Sequence, residues 1–240
     1  MNIDALSAQL SDAAAQWLES ALLDIERTPA TIGGYFTSAS RRCGRVPWRA
    51  DDPNGVKFGC VDDLVRGAML AALPTTRIDV VALVTELYRH GDANEKRGVL
   101  RGAHLLDSDV VGDTLLPLVD DALRTNDARI IAAAVQDYGA QRLSDAAFRQ
   151  AVMKCVFVGI PLDAVVGLSM RKDAELARML VDLAHERVAA GRIVPSDIPP
   201  IIAAFPESLQ RDDLSLPFLD HLAKLAARQI TESITTVQER

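Results

Sequence analysis

Apolar residues recur every three to four positions along nearly the whole chain, and this period constrains the fold more than any other feature. In residues 3–26, Leu6, Leu10, Ala14, Trp17, Leu18, Leu22 and Ile25 fall on one stripe of an α-helix. Ser11-Asp12 interrupts the stripe and can divide the segment into two helices. Thr28-Pro29 closes it. A shorter helix is expected over 32–42 despite Gly33-Gly34. Beyond Cys60 the spacing predicts helices near 61–73, 78–90, 92–107, 110–125, 127–140, 144–158, 173–190, 196–204 and 213–235. No alternating strand of useful length appears among them.

The punctuation between these segments is local and chemical. Gly91 follows Arg89-His90 and stops one helix. Asp92 opens the next, with Glu95 three residues on, the spacing of a capping box. Asp127 and Ser144 are further N-cap candidates. Gly159-Ile160-Pro161 and Gly191 with Pro195 end later helices. Residues 44–60, GRVPWRADDPNGVKFGC, form the longest expected loop and the segment expected to be least ordered. Loops beyond about 12–15 residues are commonly functional.

Short connections make successive helices antiparallel neighbours. The expected fold is therefore all-α, an irregular right-handed α-α superhelix or HEAT- or armadillo-like stack, with a compact bundle as the other arrangement. No clean repeat of fixed period accompanies it. A single domain over 1–240 is expected, with residues 205–240 as a C-terminal helical cap.

Composition narrows the function classes. The net charge of −7 and an aromatic content of 5% oppose nucleic-acid binding. Cys43, Cys60 and Cys155 form no C-x-x-C pair, so neither a disulfide framework nor a zinc knuckle is expected. The first basic residue is Arg27, unlike the basic start of a secretory signal. No uncharged apolar run approaches the ~18 residues of a spanning helix. A cytoplasmic protein is expected, with no cofactor and no membrane span. G-x-S-x-G, Walker A and G-x-G-x-x-G patterns are missing, and Asp62-Asp63 and Asp120-Asp121 read as ordinary helix faces.

Several charged residues stand out against this background. Lys154 is the only charge in AVMKCVFV, the second half of a helix apolar all round. A buried lysine must find a partner or lose its proton, which can make it a base or a Schiff-base nucleophile. The more common outcome is an apolar stem with the ammonium reaching a carboxylate or water. Arg187 projects into the inward stripe of 173–192 and can hold an anion, or tie helices through a carboxylate or helix-end carbonyls. His185-Glu186 lacks the rest of H-E-x-x-H, because position 189 is Ala, so no metal site is expected. Arg97, Arg101 and His104 stand at i, i+4 and i+7 on what reads as one polar edge. Arg124, Asn126, Asp127 and Arg129 cluster at a later turn. Together these can line a surface for an anionic ligand or acidic partner, although a solvated face is the commoner meaning.

The stretch FRQAVMKCVFVGIPLDAVVGLSMRKDAELARMLVDLAHERVAAGR, 148–192, resembles the signature region of the EboA family. ELYRHGDANEKRGVLRGAHLLD (86–107) and LRTNDARIIAAAV (123–135) resemble it as well. The resemblance spans about 15–195. Gln150, Lys154, Pro161, Leu162, Gly167, Leu168, Arg171, Glu175, Arg178, His185, Glu186, Arg187, Gly191 and Arg192 fall on its pattern. Phe148 stands where Trp is usual, and Ser169-Met170 where an acid is usual; the lost acid argues against catalysis at that position. Members are encoded beside prenyltransferase-like, hydrolase-like and sugar-isomerase-like proteins, in clusters linked to making or exporting secondary metabolites. The resemblance thus implies a helical fold and a pathway context, not a reaction.

The expected function is a non-catalytic scaffold or adaptor in such a pathway, contacting proteins of its cluster and a small anionic or polar metabolite. The alternative is an enzyme or small-molecule carrier with an interior site around Lys154, His185, Glu186 and Arg187. Candidate ligand-binding residues are these four with Arg171, Arg97, Arg101, Arg124 and Asn126.

Overall fold

A computed structural model describes residues 3–74 and 79–225, and its regular structure is α-helical. The chain divides into two compact units. The first comprises residues 1–160 and 164–167, the second 161–163 and 168–240.

In the first unit, the N-terminal stripe forms α1 (Ile3–Ser7) and α2 (Asp12–Arg27), broken where expected. The Ser11 side chain accepts from the Ala14 N–H and caps α2. Leu18, Ala21 and Ile25 are its buried edge, while Leu10, Trp17 and Leu22 are half-buried. Then come α3 (Ile32–Cys43), α4 (Val61–Ala71), α5 (Val80–His90) and α6 (Ala93–Gly102). The Asp92–Glu95 capping box opens α6: Asp92 accepts from the Asn94 and Glu95 N–H groups, and Glu95 accepts from the Asp92 N–H at 2.6 Å.

Two expected long helices are broken. The 110–125 segment becomes α7 (Ser108–Val111) and α8 (Leu116–Arg124), because Gly112 turns the chain at φ 42° and Pro117 starts the new helix. The 127–140 segment becomes α9 (Ala128–Ala134) and α10 (Asp137–Arg142). Any side chain at Gly139 would meet the Ala134 carbonyl at 1.9 Å, so the tight turn between them requires glycine. α11 (Asp145–Val158) begins at the Ser144 cap and ends at left-handed Gly159.

The core of this unit is the crossing of α4 and α6. α4 is buried almost all round, and α6 packs against α4, α5 and α9. The crossing is close because glycine meets glycine: a Cβ on Gly102 would lie 2.8 Å from Gly67 Cα. Most side chains of α4, and Glu95, Arg97, Val99 and Leu100 of α6, are buried around this crossing.

The second unit contains α12 (Leu168–Arg171), α13 (Ala174–Ala189) and α14 (Pro199–Ala203). Residues 216–225 are helical, so the helix expected from 213 starts at Leu216; positions 226–235, and position 78, lie outside the described residues. Ile198, Ile201, Ile202 and Phe218 are buried in this unit. No helix among the described residues is long and apolar enough to cross a membrane.

Candidate functional site around Arg101

The start of α4 carries Cys60, Asp62 and Asp63, and two of these residues are acids without water. Asp62 and Asp63 are fully buried, as are Arg66 and Arg97 at 1% and 2% exposure. Charges this deep require partners. Arg66 Nη1 donates to Asp62 Oδ2 at 2.7 Å, its Nε to the Phe36 carbonyl and its Nη2 to Ser40 Oγ, which in turn donates to Asp62. Arg97 Nε donates to both oxygens of Asp63, at 2.7 and 2.8 Å, and its Nη2 lies 3.5 Å from Asp62 Oδ1. Asp63 also accepts the Cys60 N–H at 2.8 Å, completing a capping box at the helix start.

Burial pushes Asp63 above the ordinary carboxylate range, against the pull of Arg97. Burial also pulls Arg97 downward, but the Asp63 and Asp62 carboxylates more than offset this and hold it above its usual value. Arg101 is lowered, first by burial and then by neighbouring Arg97.

The same cluster organises residues 44–60, a correction to the expectation of a poorly ordered loop. Pro47 and Cys60 form an antiparallel bridge, with Trp48 N–H donating to the Gly59 carbonyl. The Asp52 carboxylate accepts the N–H groups of Val56, Lys57 and Phe58. Arg101 donates to the carbonyls of Lys57, Gly55 and Val56 at 3.2, 3.2 and 2.7 Å. One carboxylate gathers the donors of this strap and one guanidinium gathers its acceptors. Gly59, at φ +77°, allows the close approach: a Cβ there would sit 2.9 Å from Asp63 Oδ2.

The strap roofs a pocket of about 360 Å³. Trp48, Phe58, Leu64 and Leu105 give it apolar walls. Lys57, Arg101, His104, Asp63, Gln136 and Asp137 give it polar ones. Phe58 lies beneath two cations, with Arg49 Cζ 4.6 Å and Lys57 Nζ 5.3 Å from its ring centre.

Cys60, Asp62 and Asp63 each bring a ligand atom within 4.8 Å of the others, the spacing of a metal site. The donor set does not suit a cation. Arg66 and Arg97 already hold the carboxylates, and burial raises the Cys60 thiol, which disfavours the thiolate.

The residues singled out from sequence distribute unevenly. Arg97 and Arg101 do come together, but not on a solvent-facing edge: α6 turns Arg97 into the core and Arg101 into the roof of the pocket. Lys154, half-buried on α11, donates to Asn126 Oδ1 at 3.2 Å, so two candidates pair with each other. Arg124 is exposed and Arg171 half-buried. On α13, in the second unit, His185 packs against Phe218 with ring centres 5.0 Å apart and planes tilted by 48°, and lies 3.2 Å from Ser215 Oγ. Glu186 is exposed, and Arg187 donates to the Ile193 carbonyl, a loop tie. Reading Asp62-Asp63 as an ordinary helix face is likewise corrected. The available signal was VDDLVRGAMLA itself, where three charges interrupt a helix otherwise apolar on every side.

The pattern that describes the metabolite traffic protein EboA matches residues 56–203, well over half of the chain. The chain belongs to the EboA family. No curated protein and no solved structure matched it. The EboA match takes in both crossing helices, Arg97, Arg101, His104, Gln136 and Asp137. The strap enters it only at Val56, so Trp48 and Asp52 lie outside it.

Proposed function

We propose that this EboA protein is a non-catalytic adaptor that holds a small metabolite in the Arg101 pocket and presents it to partner proteins of a secondary-metabolite biosynthesis or export pathway. One observation carries this reading: a pocket of about 360 Å³ combines aromatic and aliphatic walls with a few oriented polar groups, the usual form of a small-molecule site. The family's description as metabolite traffic protein supports it. No serine, threonine or cysteine lines the pocket beside His104, which favours binding over nucleophilic chemistry. The interior site around Lys154, His185, Glu186 and Arg187 gains less support, since Lys154, His185 and Arg187 are engaged locally.

The scaffold role rests on a HEAT- or armadillo-like right-handed stacking of the helices, a form that offers extended binding surfaces. Free thiols at Cys43, Cys60 and Cys155 suit a cytoplasmic location.

The test is native mass spectrometry of the protein isolated from its own cells. A small molecule is expected to accompany the wild type and to be lost from Leu64→Trp, which fills the pocket. Equal retention by the variant, or a wild type that carries nothing and binds no pathway intermediate, would overturn the reading.

A further inference from the structure

The polar groups of the pocket differ in whether the protein already uses them. Arg101 faces it with three of its N–H groups committed to strap carbonyls; its Nε, buried 3.9 Å from the Asp63 carboxylate, makes no hydrogen bond among the described residues and is held there by charge. Asp63 is held by Arg97 and the Cys60 N–H. Lys57 sits over the Phe58 ring. These charges maintain the walls.

Three further polar groups of the wall offer acceptors. Gln136 is only 8% exposed, and its Nε2 donates to the Ala132 carbonyl at 3.0 Å and the Ala164 carbonyl at 2.9 Å. Two carbonyl neighbours settle which end of the amide is nitrogen. Oε1 is then left without a partner among the described residues, in the wall of the pocket. This amide oxygen is free to accept from a donor on a ligand.

His104 adds a second acceptor. Its Nδ1 lies 2.8 Å from the Arg101 carbonyl. A carbonyl only accepts, so Nδ1 carries the proton, and in that tautomer Nε2 is the acceptor. The Asp137 carboxylate, half-buried in the same wall, makes no hydrogen bond or ion pair among the described residues. In the wall as a whole, the formal charges of Lys57 and Arg101 balance those of Asp63 and Asp137.

From this we infer that the pocket selects an uncharged ligand with an apolar or aromatic body and at least two hydroxyl donors, rather than an anion. Hydroxyl groups satisfy Gln136 Oε1 and its neighbouring acceptors, while Trp48, Phe58 and Leu64 take the apolar body. A carboxylate or phosphate would meet lone pairs where it needs donors. The inference rests on the metabolite-binding reading above and names its ligand class.

The chain has two tryptophans. Trp17 packs on Tyr35, and Trp48 lines the pocket. The experiment follows the two indole N–H signals of ¹⁵N-labelled full-length protein, with Trp17→Phe identifying Trp48. Two probes of similar size are titrated: 3-hydroxybenzyl alcohol, neutral with two donors, and 3-methoxybenzoate, an anion with none. Saturable movement of Trp48 by the diol is expected, with the anion at least tenfold weaker. Gln136→Leu should weaken diol binding at least tenfold. His104→Phe, at an exposed position that leaves the fold alone, should weaken it several-fold. Should the anion bind as tightly as the diol, or both variants bind the diol like wild type, the inference fails while the pocket reading stands. Should neither probe move Trp48, both fail.

Discussion

Arg97 Nε lies within 2.8 Å of both carboxylate oxygens of Asp63, across 34 residues of sequence, with neither side chain more than 2% exposed. The pair ties α6 to the first turn of α4 beneath the strap. Removing one partner leaves a buried charge uncompensated. Arg97→Met is expected to cost about 3–5 kcal/mol, read from urea unfolding. Adding Asp63→Asn, which keeps an acceptor for the Cys60 N–H, should recover at least half of that loss. A double variant no more stable than the single one would show that charge is not the cause.

The strap should loosen without the protein unfolding. Arg101→Lys keeps the charge but loses the planar fork that holds three carbonyls. Trypsin should then nick after Lys57 or Arg49 in the native protein, with little change in the urea midpoint. Resistance equal to wild type would mean that Asp52 alone secures the segment.

Two glycines should respond in opposite directions to alanine. Gly59 has φ +77° and no room for a Cβ, so Gly59→Ala should destabilise by at least about 1–2 kcal/mol. Gly34 lies within α3 with nothing within 4 Å of a Cβ, and Gly34→Ala should stabilise by about 0.5–1 kcal/mol. Thermal unfolding of the two variants reads both signs.

The α6 cap supplies a pH dependence. Burial opposes ionisation of Asp92, but the Glu95 and Asn94 N–H groups outweigh it, and its carboxyl is lowered from 3.8. A lowered carboxyl stabilises the fold above its unfolded value, and that contribution is lost as pH falls through the folded one. Asp92→Ala should therefore cost about 1 kcal/mol at pH 7. The gap from wild type should stay constant down to the ordinary carboxylate range and close below it. Denaturant titrations at a series of pH values measure it; a gap that widens in acid would contradict the assignment.

Helix positions were largely legible because their signals are local. The Ser11 break, the Asp92–Glu95 box, the Ser144 cap and the Gly159 stop each act within about four residues, and each caps or ends a helix as read. Legibility failed where a helix is interrupted by packing. Residues 127–140 carry a continuous helical period, yet the chain turns after Ala134, where Gln136 reaches Ala164.

The candidate site was legible only in fragments. Arg97 and Arg101 were visible as a spaced pair, but their i, i+4 spacing is the same whether a helix face meets water or a neighbouring helix. The glycine contact at Gly67 and Gly102 decides which, by bringing α4 against α6 and excluding solvent. Asp52 and Gln136 carried no signal at all, and Asp63 showed only as a charge inside an otherwise apolar helix.

The residue order by itself determined that the chain is helical, where most helices start and stop, and its family, because periodicity, caps and signature motifs are properties of neighbouring residues. Tertiary structure alone decided that Asp63 meets Arg97, that Arg101 gathers the strap, and that Gln136 keeps a free oxygen in a pocket wall. Those outcomes depend on which distant groups share a space without water, and a charge or amide acquires its role from that burial rather than from its position in the chain.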